Sequence, residues 1–247
     1  MNKSRRKSAS CYNCETILDQ SQNYCPNCGQ ENHTRQASTR VLMSDLLNDY
    51  LTFDSKFFRS VIPLLIKPGF ITKEYLEGKR QQFIPPIRVF IFLSFVYFGL
   101  SFLLNSDSET LTFTSNNQDQ SEDAIQEIAE YFSNHFKFVI FFFAPILALI
   151  IKLFYRTKEK KYYVNFFVFS LHFLSFLFLF GAILTLLFNG MDLISKSDII
   201  ASTQNVISIV ALIYICIYSI RALKLVFNKK NNILLFSLTL LLSVIVF

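Results

Sequence analysis

Residues 164–188 read VNFFVFSLHFLSFLFLFGAILTLLF, without one Asp, Glu, Lys or Arg. A helix needs about 20 apolar residues to cross a hydrocarbon core of about 30 Å, and this stretch has that length. Similar runs occupy residues 87–104, 136–155 and 199–220. A fifth, 233–247, is shorter and would reach about 22 Å at 1.5 Å per residue. The expected fold is therefore an all-α membrane protein with about five transmembrane helices. Composition points the same way: 52% of the 247 residues are hydrophobic and 17% charged, where a soluble domain carries about 25% charge. Several adjacent runs of this kind would be hard to bury in a soluble domain of this length.

The connecting segments give an independent reading. The chain before residue 87 is rich in Lys and Arg. Residues 105–135 have neither, but hold Asp107, Glu109, Asp119, Glu122, Asp123, Glu127 and Glu130. Arg156, Lys158, Lys160 and Lys161 follow the second run. Lys196 stands beside Asp192 and Asp198 after the third, and Arg221, Lys224, Lys229 and Lys230 follow the fourth. Positive charge keeps a loop on the cytoplasmic side. The alternation predicts a cytoplasmic N-terminus and an external C-terminus, and it accounts for the net charge of +6 without nucleic acid as a partner. The basic start, Met1-Asn-Lys-Ser-Arg-Arg-Lys, lacks the apolar core of a secretory signal.

Residues 11–33 follow a basic tail of residues 1–10 and carry the one pattern in which residue type and spacing specify a chemistry. Cys11-Tyr-Asn-Cys14 and Cys25-Pro-Asn-Cys28 form two C-x2-C pairs, the arrangement that closes four thiolates around one metal ion. Zinc is expected ahead of iron, in a small ribbon whose folding and metal binding are one event. A shell filled by four cysteines leaves no position for water, so the site holds structure. It leaves His33 a bystander. Cys216, in an apolar run, reads as a packing residue.

Residues 39–83 are patterned as amphipathic helices lying in or near the headgroup layer. Leu42, Met43, Leu46, Leu47, Tyr50 and Leu51 repeat at helical spacing. After Asp54, the expected N-cap, Phe57, Phe58, Val61, Ile62 and Leu65 form a second apolar stripe with Lys56 and Arg59 on its polar side. Pro63 should bend or shorten that helix, Pro68-Gly69 should stop it, and a short helix over Thr72 to Glu77 should close at Gly78. Packing on the membrane domain is the competing placement. Lys79, Arg80 and Arg88 are the cations expected to meet anionic lipid headgroups. Residues 84–247 form the membrane domain.

Tyr24-Cys25-Pro-Asn-Cys28-Gly29-Gln30, Pro68-Gly69, Glu74-Tyr75-Leu76-Glu77-Gly78-Lys79-Arg80, Phe83 and Pro86 together resemble a bacterial membrane-protein family known as domain of unknown function 3667. The resemblance covers roughly residues 11–95. It implies a zinc ribbon ahead of several spans in the bacterial inner membrane, and it implies no activity.

Within the spans His172 is the polar residue of most interest, as an intramembrane site or as a hydrogen-bonded packing residue. Ser202, Thr203, Gln204, Asn205 and Ser208 make a polar start to the fourth span, and Lys152 can snorkel from the second. The spans contain no Asp or Glu, so no buried carboxylate pair serves acid–base chemistry or cation relay. The favoured reading is a non-enzymatic scaffold, recruiter or sensor whose ribbon meets a cytoplasmic protein partner. A small transporter or channel is the alternative, and a lipid-modifying enzyme the third reading.

Overall fold

The structure is a computed structural model and describes residues 7–32, 56–105, 143–153, 162–195 and 197–227. Six helices lie in this set: α1 (Lys56–Ile66), α2 (Phe70–Leu76), α3 (Pro86–Asn105), α4 (Phe143–Leu153), α5 (Tyr163–Ile194) and α6 (Asp198–Phe227). The predicted helix around residues 42–51, the Asp54 cap, His33, the acidic loop beyond residue 105 and the fifth span all lie outside the described residues. So do the ends of the second span.

Among the described residues, three helices are long and apolar enough to cross a membrane: Pro86–Leu104, Tyr163–Ile194 and Asp198–Phe227. The α4 helix is the described part of the second predicted span. At 32 and 30 residues, α5 and α6 extend about 48 and 45 Å, beyond the predicted limits of 164–188 and 199–220. Hydropathy marks only the stretch that lipid requires, and a helix continues past it wherever nothing breaks it.

The α5 helix is the axis of the bundle. Residues 168–178 are buried on every side, as expected of a helix apolar all round. Phe178 meets Phe90, Tyr97 and Phe98 of α3. Ala144, Leu147, Ala148 and Ile151 form the buried face of α4, and Tyr163 donates its hydroxyl to the Pro145 carbonyl at 2.9 Å. Towards α6 the contact is aromatic. Phe176 stacks on Tyr218 at 3.6 Å, and Phe166 on Phe227 at 4.9 Å.

Helices α1 and α2 pack on α5 and α6 as a collar. Pro63 lies inside α1, which continues to Ile66. It is Pro68, with no N–H, that leaves the Leu64 carbonyl without its helical donor. Two hydroxyls from α6 meet this end of the helix. Tyr218 donates to Leu64 C=O and Tyr214 to Leu65 C=O, each at 2.6 Å. Gly69 then reverses the chain at φ +73° against the backbone of Ala222, so close that an added Cβ would sit 2.8 Å from the Ala222 oxygen. The α2 helix starts at Phe70, two residues before its predicted start. The amphipathic pattern read as interfacial thus packs one face on the bundle.

Gly69→Ala should lower stability by about 2 kcal/mol or more, because it adds left-handed strain to a backbone collision. Gly99→Ala, with nothing within 4 Å of its added carbon, should change it by under about 0.5 kcal/mol. Thermal unfolding of the two purified variants in one detergent checks this; equal midpoints would contradict it.

Candidate metal centre and its docking seam

The ribbon is built from one local structure used twice, fourteen residues apart (Cys11 to Cys25, Cys14 to Cys28). In the first knuckle Cys11 N–H donates to Thr16 C=O and Glu15 N–H to Cys11 C=O, both at 2.9 Å. In the second, Cys25 N–H donates to Gln30 C=O at 2.8 Å and Gly29 N–H to Cys25 C=O at 2.9 Å. The residue after each second cysteine is left-handed, Glu15 at φ 61° and Gly29 at φ 72°. Bridges Ser10–Ile17 and Tyr24–Glu31 close the two arms. The turns aim backbone and sulfur to a common point, which is what a C-x2-C pair does.

All four Sγ atoms lie within 4.8 Å of one another. Cys11 and Cys28 are 3.6 Å apart and Cys14 and Cys25 3.5 Å. A tetrahedron with metal–sulfur bonds of 2.3 Å has edges of about 3.8 Å, so the four residues fit a metal ion, and no cysteine here is in a disulfide. Thr16 hydrogen-bonds Cys14 through hydroxyl and backbone and brings its thiol down to about 6. Burial pushes Cys28 up to about 12 and also raises Cys11. A cation at the centre reverses that burial penalty, since thiolates are what it binds. Among the described residues, Leu18 with Cys11 and Cys25 is the buried apolar core of this unit, so a bound ion would be its main tie. The ribbon supplies all four donors and leaves no coordination position for chemistry.

The ribbon sits on the turn that follows α2. Gln30 is 3% exposed. Its Nε2–H donates to Gly78 C=O at 2.9 Å and its Oε1 accepts from Arg80 N–H at 3.2 Å, so one amide reads the backbone as a strand neighbour would. On the other side Tyr12 lies against Gly78, whose φ is +102° and whose added Cβ would be 3.0 Å from the Tyr12 Cβ. Each knuckle thus contributes one side chain to the same glycine turn.

From this seam contacts continue into the bundle. The Arg80 guanidinium lies 5.5 Å over the Tyr75 ring, and Tyr75 meets His172 edge-on at 6.4 Å. His172 Nδ1 and Thr72 Oγ1 are 3.0 Å apart. His172 lines a small cavity with Leu64, Gly69, Thr72, Tyr218 and Ala222, offering about 10 Å³ to a water's centre, room for about one molecule. His172 is thus buried between α2 and α5.

The predicted headgroup cations are placed differently from one another. Arg80 is 9% exposed and sits beneath protein. Lys79 is paired with Glu74, which raises its affinity for its proton. Arg88 is half-buried in the first turn of α3. Among the described residues, the exposed cations of this end include Arg59, Lys67, Lys73, Lys152, Arg221 and Lys224. Thr203 and Ser208 bond back to their own helix, and Gln204 reaches Asp192 at 2.8 Å; these polar residues tie helices and turns.

Tyr12, Tyr214 and Tyr218 were given no role by sequence reasoning, Gln30 entered it only within the family resemblance, and Thr72 only as the start of a helix. Pro68 was the available signal for the tyrosines, because a proline four residues on always orphans a helical carbonyl. Nothing in composition marks Gln30 as different from any other polar residue after a knuckle.

Comparison with curated proteins and with solved structures finds no match. A family model matches residues 54–98, which takes in α1, α2, the Gly78 turn and most of α3 and leaves the ribbon outside. Over that stretch the resemblance read from Pro68-Gly69, the Glu74–Arg80 segment, Phe83 and Pro86 is borne out: residues 54–98 match the model of the family described as protein of unknown function DUF3667.

Proposed function

We propose that the chain is a non-enzymatic scaffold of the bacterial inner membrane whose cytoplasmic ribbon, closed on zinc, is a latch on its own collar. The observation that carries this is Gln30, buried and bonded to both Gly78 and Arg80. The metal, when bound, supplies the cross-link that makes two short knuckles a rigid body. Gln30 and Tyr12 then hold the Gly78 turn, and Arg80, Tyr75 and His172 continue the contact to α5. Loss of the ion would unfold the ribbon and release the turn, so metal status becomes collar mobility, which a cytoplasmic protein partner can read. A transporter would need a polar path. His172 is engaged with Thr72, and the cavity beside it accepts about one water, which supports the scaffold reading.

The latch is tested in the full-length protein in nanodiscs. As purified it should hold one zinc per chain, and Cys25→Ser should lose it. Either that variant or a strong chelator should speed amide exchange over residues 75–85 about tenfold or more, as expected for loss of two buried hydrogen bonds. Gln30→Ala should do the same with zinc retained. Unchanged exchange in Gln30→Ala would refute the latch, and protein isolated with neither zinc nor iron would refute the metal reading.

The topology goes with this proposal: basic segments inside, five spans including residues 233–247, the C-terminus outside. Reporter enzymes fused after Ser10 and after Gln120 should report opposite compartments. The same compartment for both would overturn the arrangement.

A further inference from the structure

Helix α1 has three distinct sectors. Ser60 and Leu64 face the bundle and are buried. Lys56 and Arg59, with Pro63 between them, form a polar strip. Phe58, Ile62 and Ile66 form a third sector, within about 80° of one another at 100° per residue. They are 67%, 53% and 64% exposed. A helix in water between a bundle and solvent has two sectors, one apolar and one polar. A second apolar sector needs a second apolar neighbour.

Two independent pins give the depth of α1 along the spans. Near its start, Phe57 meets Phe92 of α3 at 5.2 Å. Phe92 is four residues, about 6 Å, further into the span than Arg88. At its other end the carbonyls of Leu64 and Leu65 are held by Tyr218 and Tyr214. These lie about 4.5 and 10 Å further in than Arg221, the first charge at that end of α6. Both ends of α1 are thus deeper than the charged boundary of the helices they touch. The depth suits the requirement that backbone carbonyls at lipid level find protein donors, which the two tyrosines supply.

We infer that α1 lies flat in the leaflet on the Arg88 and Arg221 side, sunk about 5–10 Å, with Phe58, Ile62 and Ile66 against phospholipid acyl chains. Arg59, and Lys67 just past the helix end, are exposed and extend from this depth toward the headgroups. The occupant of the third sector is lipid, and the collar is a wedge shared between bundle and bilayer.

The chain has no Trp, so a single introduced indole reports its own surroundings. Phe58→Trp, Ile62→Trp and Ile66→Trp are made one at a time in the full chain, reconstituted in phosphatidylcholine vesicles with bromines at defined acyl positions. Ile213→Trp, on an exposed apolar face of α6, is the lipid reference, and Tyr24→Trp, on the ribbon, the water reference. The three α1 variants should emit at the short wavelength of the first reference and be quenched most by the shallow bromines. Long-wavelength emission without quenching, as for the ribbon reference, overturns the inference. Short-wavelength emission without quenching also overturns it, because protein, such as a second copy, then covers the sector. Three sites keep the test decisive if one variant fails to fold.

Discussion

Proline 68 cannot give a hydrogen to the carbonyl of Leu64, and that deficit sets where the collar sits. A carbonyl removed from water and left bare costs about 1–3 kcal/mol, and nearby lipid offers it nothing. Tyr218 and, one turn away, Tyr214 point hydroxyls at Leu64 and Leu65. The collar has one register that serves both carbonyls, and that register brings Gly69 onto the Ala222 backbone. Thr72 then falls opposite His172, Tyr75 beside it, and the Gly78 turn where Gln30 reaches it. Each later contact inherits its position from this cap.

The ribbon is at the far end of that series and has the least to hold it. One leucine and two cysteines cannot offset the conformational entropy of some two dozen residues, so in the proposed reading its order depends on thiolate–metal bonds and on the seam at Gly78. The two supports differ in kind. The first responds to metal supply and the second to the position of α2. A unit tied at both ends by such different forces is suited to linking a soluble signal to a membrane-embedded wedge, which is the physical content of the scaffold proposal.

Much of this was legible in the sequence, for identifiable reasons. Residues 164–188 announced a span because lipid imposes a length that no soluble context does. Pro68-Gly69 and Gly78 announced turns because their backbones allow little else, and the cysteine pairs announced the cluster through spacing alone. The ends of α5 and α6 were hidden, since a helix outside lipid needs no hydropathy signature. Arg80 was misleading for a related reason: an arginine near a span looks like a headgroup ligand until a buried tyrosine ring is found beneath it. Glu15 gives no hint of a left-handed backbone, and Gln30 becomes informative only once the turn it reads has been located.

The most direct measurement is hydrogen exchange on the double variant Tyr214→Phe/Tyr218→Phe, full length and in nanodiscs. Both phenyl rings preserve the aromatic packing on α5 and remove only the two hydroxyls. Faster exchange across residues 56–80, by about tenfold or more, with α5 and α6 unchanged, is what the account predicts. Exchange in the collar identical to that of the parent protein would contradict it.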